Sequence, residues 1–194
     1  MAELPRTHPL ESRAAAWDRL PDAVGIAVEP FTALADLRIG VSGPEVTAAL
    51  GAALPTVPGT WERAGSGQAI WLGPDEWLLT STTERPERLE GRIREATLPF
   101  GGSVVDVSAQ RITLRLTGSR ARDVLAKGCS IDLHPRSFGR GSSAQTTLGQ
   151  AGVVLLALAD SGDDYAILVR SSFAGYLADW LADAAVEFTS GQQS

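Results

Sequence analysis

Cysteine is almost missing from this sequence. Cys129 is the only one, so no internal disulfide and no thiolate metal cluster can form. Histidine is nearly as scarce. Only His8 and His134 could serve Cys129 as a base, and a zinc site needs three or four good ligands where Asp132 and His134 supply two. Cys129 therefore reads as a small apolar side chain after a helix end. Excess positive charge is lacking too. The formal net charge is -6, which argues against a general nucleic-acid binder. No run approaches the ~20 apolar residues of a membrane span. The opening "MAELPRTHPLESRAAAWDRL" lacks the apolar core of a secretory signal. A soluble cytoplasmic protein without membrane or nucleic-acid partners is the expectation.

Catalytic signatures are equally thin. No phosphate-cradling GxxxxGK[ST], dinucleotide GxGxxG or nucleophile-elbow GxSxG occurs. The glycine-rich "GSGQ" at Gly65 and "GRGSS" at Gly139 read as loops, because neither opens a helix after a strand. What the chain does have is apolar content, 44% of its 194 residues, enough for a sizeable core. Its charge is uneven. Between Arg111 and Arg140 stand Arg111, Arg115, Arg120, Arg122, Lys127, Arg136 and Arg140 against Asp123 and Asp132, a local +5. That stretch is either a solvated face or a surface for an acidic partner or ligand.

The most informative feature is self-similarity. "LRIGVSGPEVTAALGAAL" (37–54) aligns with "ITLRLTGSRARDVLAKGC" (112–129) at an offset of 75, Leu37, Ile39 and Val41 falling on Ile112, Leu114 and Leu116. Each copy reads as a strand with period-two apolar residues, a small-residue turn and a helix. Ser42 or Gly43 can cap the first helix, with Pro44 early and Val46, Ala49, Leu50 and Ala53 as its stripe. In the second, Ser119 caps, Ala121, Val124 and Leu125 face inward, and Gly128 supplies a left-handed stop. After an insertion the match resumes at an offset of 88. "DEWLL" (75–79) falls on "DDYAI" (163–167), Leu89 on Leu177, Ile93 on Leu181 and Phe100 on Phe188. The expected fold is α+β: a tandem duplication of two ferredoxin-like βαββαβ halves forming one domain. An N-terminal arm (1–23) precedes the domain at 24–189, whose halves span about 24–107 and 108–189. The polar tail 190–194 reads as disordered. Trp17 on the arm either tucks back or anchors a partner.

The carboxylate pairs Asp75-Glu76 and Asp163-Asp164 fall at equivalent hairpin positions, beside the turn formers Gly73-Pro74 and Ser161-Gly162. Trp71 and Trp77 flank the first pair. A working acid/base pair needs two different environments, and adjacent strand residues point to opposite faces. Both pairs read as turn structure, and the tryptophans as sheet or interface packing.

From "VVDVSAQRITLRLTGSRARDVLAKGCSIDLHPRSFGRGSSAQTTLGQAGVVLLAL", "WLGPDEWLL" and "LVRSSFAGYLADWLADAAVEF", the chain resembles the gamma subunit family of heterotetrameric sarcosine oxidase over about Val24 to Phe188. That family is similar in fold to the folate-binding domain of aminomethyltransferases, where two βαββαβ halves exchange their final strands. The resemblance implies a structural or assembly subunit, with alpha and beta subunits and a small delta subunit as partners. The implied complex demethylates sarcosine to glycine, giving hydrogen peroxide and formaldehyde or 5,10-methylenetetrahydrofolate. FAD, FMN, NAD, tetrahydrofolate and zinc are implied on the other subunits, and no catalytic, cofactor-binding or metal residue carries over to this chain. Aminomethyltransferases present Asp-Val-Ser-His and a later carboxylate. Here Asp106-Val107-Ser108 is followed by Ala109, and no Asp follows Gly152 until Asp160. The proton-accepting group is missing. The alternative function is a stand-alone folate-binding or aminomethyltransferase-like module, whose arginine-rich stretch would hold a polyglutamate tail.

Overall fold

The structure, a computed structural model, describes residues 10, 12, 13, 17, 20 and 22–189. Its ten strands are β1 Gly25–Val28, β2 Ala33–Arg38, β3 Trp61–Ala64, β4 Gly67–Gly73, β5 Glu76–Ser81, β6 Ser103–Asp106, β7 Arg111–Thr117, β8 Ser143–Leu148, β9 Ala151–Ala157 and β10 Asp164–Arg170. Four α-helices lie wholly among the described residues: α1 Pro44–Leu50, α2 Pro86–Thr97, α3 Ala121–Ala126 and α4 Ala174–Ala185. Two five-stranded antiparallel sheets result, ordered β3-β4-β5-β2-β6 and β1-β7-β10-β9-β8.

Helices cover the outer face of each sheet, and the inner faces meet. Leu34, Ile70, Leu72 and Leu78 of one sheet form a single apolar cluster with Val154, Leu156, Ala166 and Leu168 of the other. Two separate cores lie between each sheet and its helices. Burial on both faces explains why β9 and β10 are near-continuous apolar runs rather than alternating ones. α2 follows from its sequence just as directly. Pro86 occupies the first turn, Leu89, Ile93 and Thr97 recur every four residues on the buried face, and charged residues fill the other. At the offset of 88, α4 starts and ends on the positions equivalent to α2, with Leu177 and Leu181 buried like Leu89 and Ile93.

The offset of 75 does not survive at the first strand. Leu37 lies opposite Trp77, and its structural equivalent Leu116 lies opposite Tyr165, so the true offset there is 79. β2 begins and ends earlier than the apolar alternation Leu37, Ile39, Val41 suggested. Val41 is 51% exposed in the longer loop to α1. The physical reason is two-sided burial: Ala33, Leu34, Ala35 and Leu37 are all buried, which fixes the register against β5.

Three other expectations change. Gly128 is not left-handed. It is required because an added Cβ would lie 2.5 Å from the Trp180 ring and 2.9 Å from the Gly149 nitrogen. Neither α1 nor α3 has a side-chain cap; their N-cap positions are Gly43 and Arg120, and Ser119 makes no cap bond. Each half also gains an edge strand, β3 or β8, outside the expected βαββαβ unit. Those two edges are joined by Trp61 N–H to Gly141 O (2.8 Å), Ser143 N–H to Gly59 O (2.7 Å) and a Thr60–Ser142 bridge.

The strand exchange takes a one-sided form. β6 stays on its own half's sheet beside β2, whereas the equivalent place beside β7 is filled by β1. The described residues of the N-terminal arm also belong to the second half. Leu10 and Trp17 (8% exposed) are part of its core, and Arg13 forms a bidentate ion pair with Asp179 of α4. Trp17 therefore tucks back onto its own fold. The tail 190–194 lies outside the described residues.

Candidate functional site

Polar side chains enter the inter-sheet layer at its two ends, where the apolar cluster stops. At one end, β7 and β10 place Arg115 diagonally from Asp164. The guanidinium grips that carboxylate with two hydrogen bonds, Nη2 to Oδ2 at 2.6 Å, and reaches Glu29 at 3.4 Å. Its proton is held more tightly than usual, chiefly by the bond to Asp164. A crevice of about 270 Å³ opens here, lined in part by Glu29, Trp61, Arg63, Thr80, Arg115 and Arg140. Trp61 at its wall is committed to structure: its indole N–H donates to Ala157 O at 3.0 Å across the two halves.

The opposite end holds the hairpin from the first half. Pro74 and Asp75 form a two-residue turn, and the Asp75 carbonyl accepts from Ile39 N–H at 2.9 Å. Asp75 itself is exposed, while Glu76 turns into the inter-sheet layer. The pair is thus split between two environments, Asp75 in the turn and Glu76 opening the strand. Glu76 meets Arg38 at 2.8 Å, directly opposite it on β2. Burial pushes the Glu76 carboxyl above its ordinary range, and the neighbouring Asp36 pushes it further. Asp36 was not among the sequence candidates. It lies diagonally from Glu76 only because of the β2–β5 register, which the offset of 75 misplaced.

Trp71 and Trp77 face each other across the β4–β5 hairpin. Trp77 is fully enclosed (2% exposed) and donates its indole N–H to Pro55 O at 2.8 Å; Trp71 packs against the same first-half core. Both tryptophans pack within the first-half sheet and its core. Asp163 and Asp164 divide similarly: Asp163 stays in its turn with Ser161, and Asp164 takes Arg115.

Asp132 and His134 sit side by side on the surface but serve a turn. Asp132 accepts from His134 N–H at 2.9 Å and Ser137 Oγ at 2.8 Å, which lowers its pKa below the usual carboxylate range. His134 Nδ1 accepts from Arg136 N–H. Among the described residues no group of three or more potential ligands could hold a metal ion. Cys129 is half-buried, with Thr146 Oγ1 at 3.9 Å; His8 lies outside the described residues.

The basic stretch does not assemble into one face. Arg111 and Arg115 point into the inter-sheet layer. Arg120 pairs with Asp123, and Lys127 with Glu187 at 2.8 Å. Arg120 and Lys127 also lie over the Phe188 ring, at 5.8 and 4.7 Å.

The residues set against folate chemistry are equally committed. Ser108 Oγ donates to Asp106 Oδ1 at 2.6 Å and accepts from Leu34 N–H at 2.9 Å, tying β2 to the β6–β7 connection. β9, where the carboxylate would stand, places Val153 and Leu155 in the helix-side core and Val154 and Leu156 between the sheets. Asp160 is exposed and accepts from Arg140 N–H. These residues do not fit a folate-transfer site: the proton-handling position is apolar and filled.

Comparison with known proteins gives a consistent answer. The profile of the sarcosine oxidase, gamma subunit family matches residues 39–187. The sarcosine oxidase subunit gamma of Corynebacterium sp. (strain U-96) is 37% identical over 174 residues, covering 88% of this chain and 83% of that one. A chain of the heterotetrameric sarcosine oxidase from Corynebacterium sp. U-96, solved with pyrrole 2-carboxylate, superposes with a TM-score of 0.87 and 34% identity, over 97% of this chain and 99% of its own. The glycine cleavage system aminomethyltransferase T from Bartonella henselae shares the fold alone, with a TM-score of 0.60, 15% identity, and coverage of 91% of this chain and 50% of that one.

Proposed function

This chain belongs to the sarcosine oxidase gamma subunit family, and on that premise we propose that it is the gamma subunit of a heterotetrameric sarcosine oxidase, structural rather than catalytic. Its partners are then the alpha, beta and delta subunits. The flavins FAD and FMN, NAD, tetrahydrofolate and zinc reside on those subunits, and the assembly oxidatively demethylates sarcosine to glycine. The cytoplasm is its place of action. No helix among the described residues is long and apolar enough to cross a membrane.

One observation carries the structural reading. Among the described residues, three positions between the sheets that could host acid–base chemistry are committed: Arg115 to Asp164 and Glu29, Glu76 to Arg38, and the β9 position to apolar packing. Val57, Leu98 and Val105, each about 60–70% exposed, add apolar surface outside the cores, as a subunit built for a larger assembly carries. Co-expression with the alpha and beta subunits tests the proposal. The expected outcome is a single complex on size-exclusion chromatography and more soluble chain than when it is expressed alone. A stable monomer with no affinity for those subunits overturns it. Saturable tetrahydrofolate binding with turnover of an aminomethyl donor by the chain alone would favour the folate-module alternative instead.

A further inference from the structure

Arg111 opens β7 and Arg170 closes β10, and the two stand directly opposite each other in the sheet register. By the strand alternation that puts Ala166 and Leu168 between the sheets, both arginines point toward the inter-sheet side. Like charges directly opposite each other disfavour a strand pair. The fold does not demand them: Thr32 and Thr82 hold the equivalent places in the first half. Neither arginine forms an ion pair among the described residues. Arg111 is half-buried, and burial together with Arg170 weakens its hold on its proton.

The surroundings supply only part of the missing charge. Asp36 and Glu76 act on Arg111 through space from the facing sheet, but Glu76 is already bound to Arg38. Beside the arginines lies an open crevice of about 520 Å³, with Gln145, Thr147 and Gly152 among its walls and Phe173 at its rim. A Cβ on Gly152 would meet nothing within 4 Å, so the floor is clear. Phe173 is 43% exposed. An inorganic ion would satisfy the arginines and leave that ring in water. A peptide segment carrying an acid next to an apolar residue satisfies both.

We propose that Arg111 and Arg170 form a notch that receives a side-chain carboxylate from a partner subunit, with Phe173 packing against an apolar neighbour of that acid. The notch rests on the reading of this chain as a subunit of a larger enzyme. A guanidinium pair of this kind binds one carboxylate through several parallel N–H donors, giving orientation as well as attraction.

The test uses the complex co-expressed with its partner subunits. Retention of the chain is followed on an affinity-tagged partner while sodium chloride is raised. Arg111→Glu with Arg170→Glu should weaken retention at least about tenfold, as expected when one side of a desolvated charge pair is reversed. Arg170→Gln alone should shift release to lower salt, and it keeps the test valid if the double variant fails to fold. Arg94→Glu, on α2, serves as a control and should behave as wild type. Unchanged salt release in both notch variants, in a complex that wild type forms, overturns the notch and leaves the subunit reading intact. Equal weakening by Arg94→Glu overturns it too, because the effect is then one of net charge. A wild-type chain that never joins the partners fails the subunit reading itself, and the notch with it. Inorganic phosphate that raises the melting temperature of the isolated wild type, while the variants assemble normally, assigns the arginines to a free anion instead.

Discussion

The two halves place four equivalent strands in the same order, yet they fill one diagonal pair of positions with opposite chemistry. In the second half Arg115 grips Asp164; in the first, Asp36 stands where the arginine would be and faces Glu76. A base–acid pair and an acid–acid pair are both tolerated because each lies at an open end of the inter-sheet layer, beyond its apolar cluster. The fold fixes the positions but not the charges, so those charges are free to specialise. Deeper in, less freedom exists. Trp77 and Tyr165 occupy equivalent buried places, and both remain large aromatics, although only Trp77 finds a hydrogen-bond partner for its polar atom.

The sharpest way to break this comparison is at those aromatics. Trp77→Ala should cost about 3–5 kcal/mol in urea unfolding, because it removes a fully buried ring. Tyr165→Phe should be near neutral, since the hydroxyl lost is one that makes no bond. Next come the matched helix positions. Ile93→Ala and Leu181→Ala should each cost about 2–5 kcal/mol. Because the inner faces share one apolar cluster, both should move a single transition with an unchanged m value; two separate transitions would mean that the halves unfold independently.

A smaller effect is expected at Arg115→Ala, about 1–3 kcal/mol, as Asp164 loses its hydrogen-bonded cation. Smallest at neutral pH is Glu76→Gln, within about 0.5 kcal/mol, but its pH profile is diagnostic. Since the folded state raises the Glu76 pKa, its proton is bound more tightly when folded. That contribution is full below the unfolded value and is lost as pH rises through the folded one. Glu76→Gln should therefore flatten the stability profile just above the ordinary glutamate range. The opposite slopes from Glu84 and Asp179, whose pKa values are lowered by arginine partners, should persist. An unchanged profile would separate Glu76 from Asp36.

Much of this molecule was legible in the sequence where a local pattern and a long-range one agree. α2 and α4 have four-residue spacing, matching ends and buried residues at one offset, so they could be placed before any contact was known. The hairpin carboxylates were legible for the same reason: turn formers precede both pairs. The first strand was not, because its residues 37–41 alternate convincingly while pairing with β5 decided the register. β3 and β8 are short edges whose polar and apolar residues mark no strand by themselves. The Asp36–Glu76 and Arg111–Arg170 neighbours arise only from cross-strand register, which no spacing along the chain encodes. Trp17 left two readings open, and only the packing of the arm against the second core chose between them.

One consequence follows from β1. During synthesis this strand is made before the rest of its sheet, but its pairing partner is β7, and Val28 meets Leu114 only after 86 further residues have been made. At about 5–20 residues per second that is a delay of roughly 4–17 s. The second sheet thus keeps its earliest strand waiting for its neighbours, and the order of translation runs against the order in which that sheet can close.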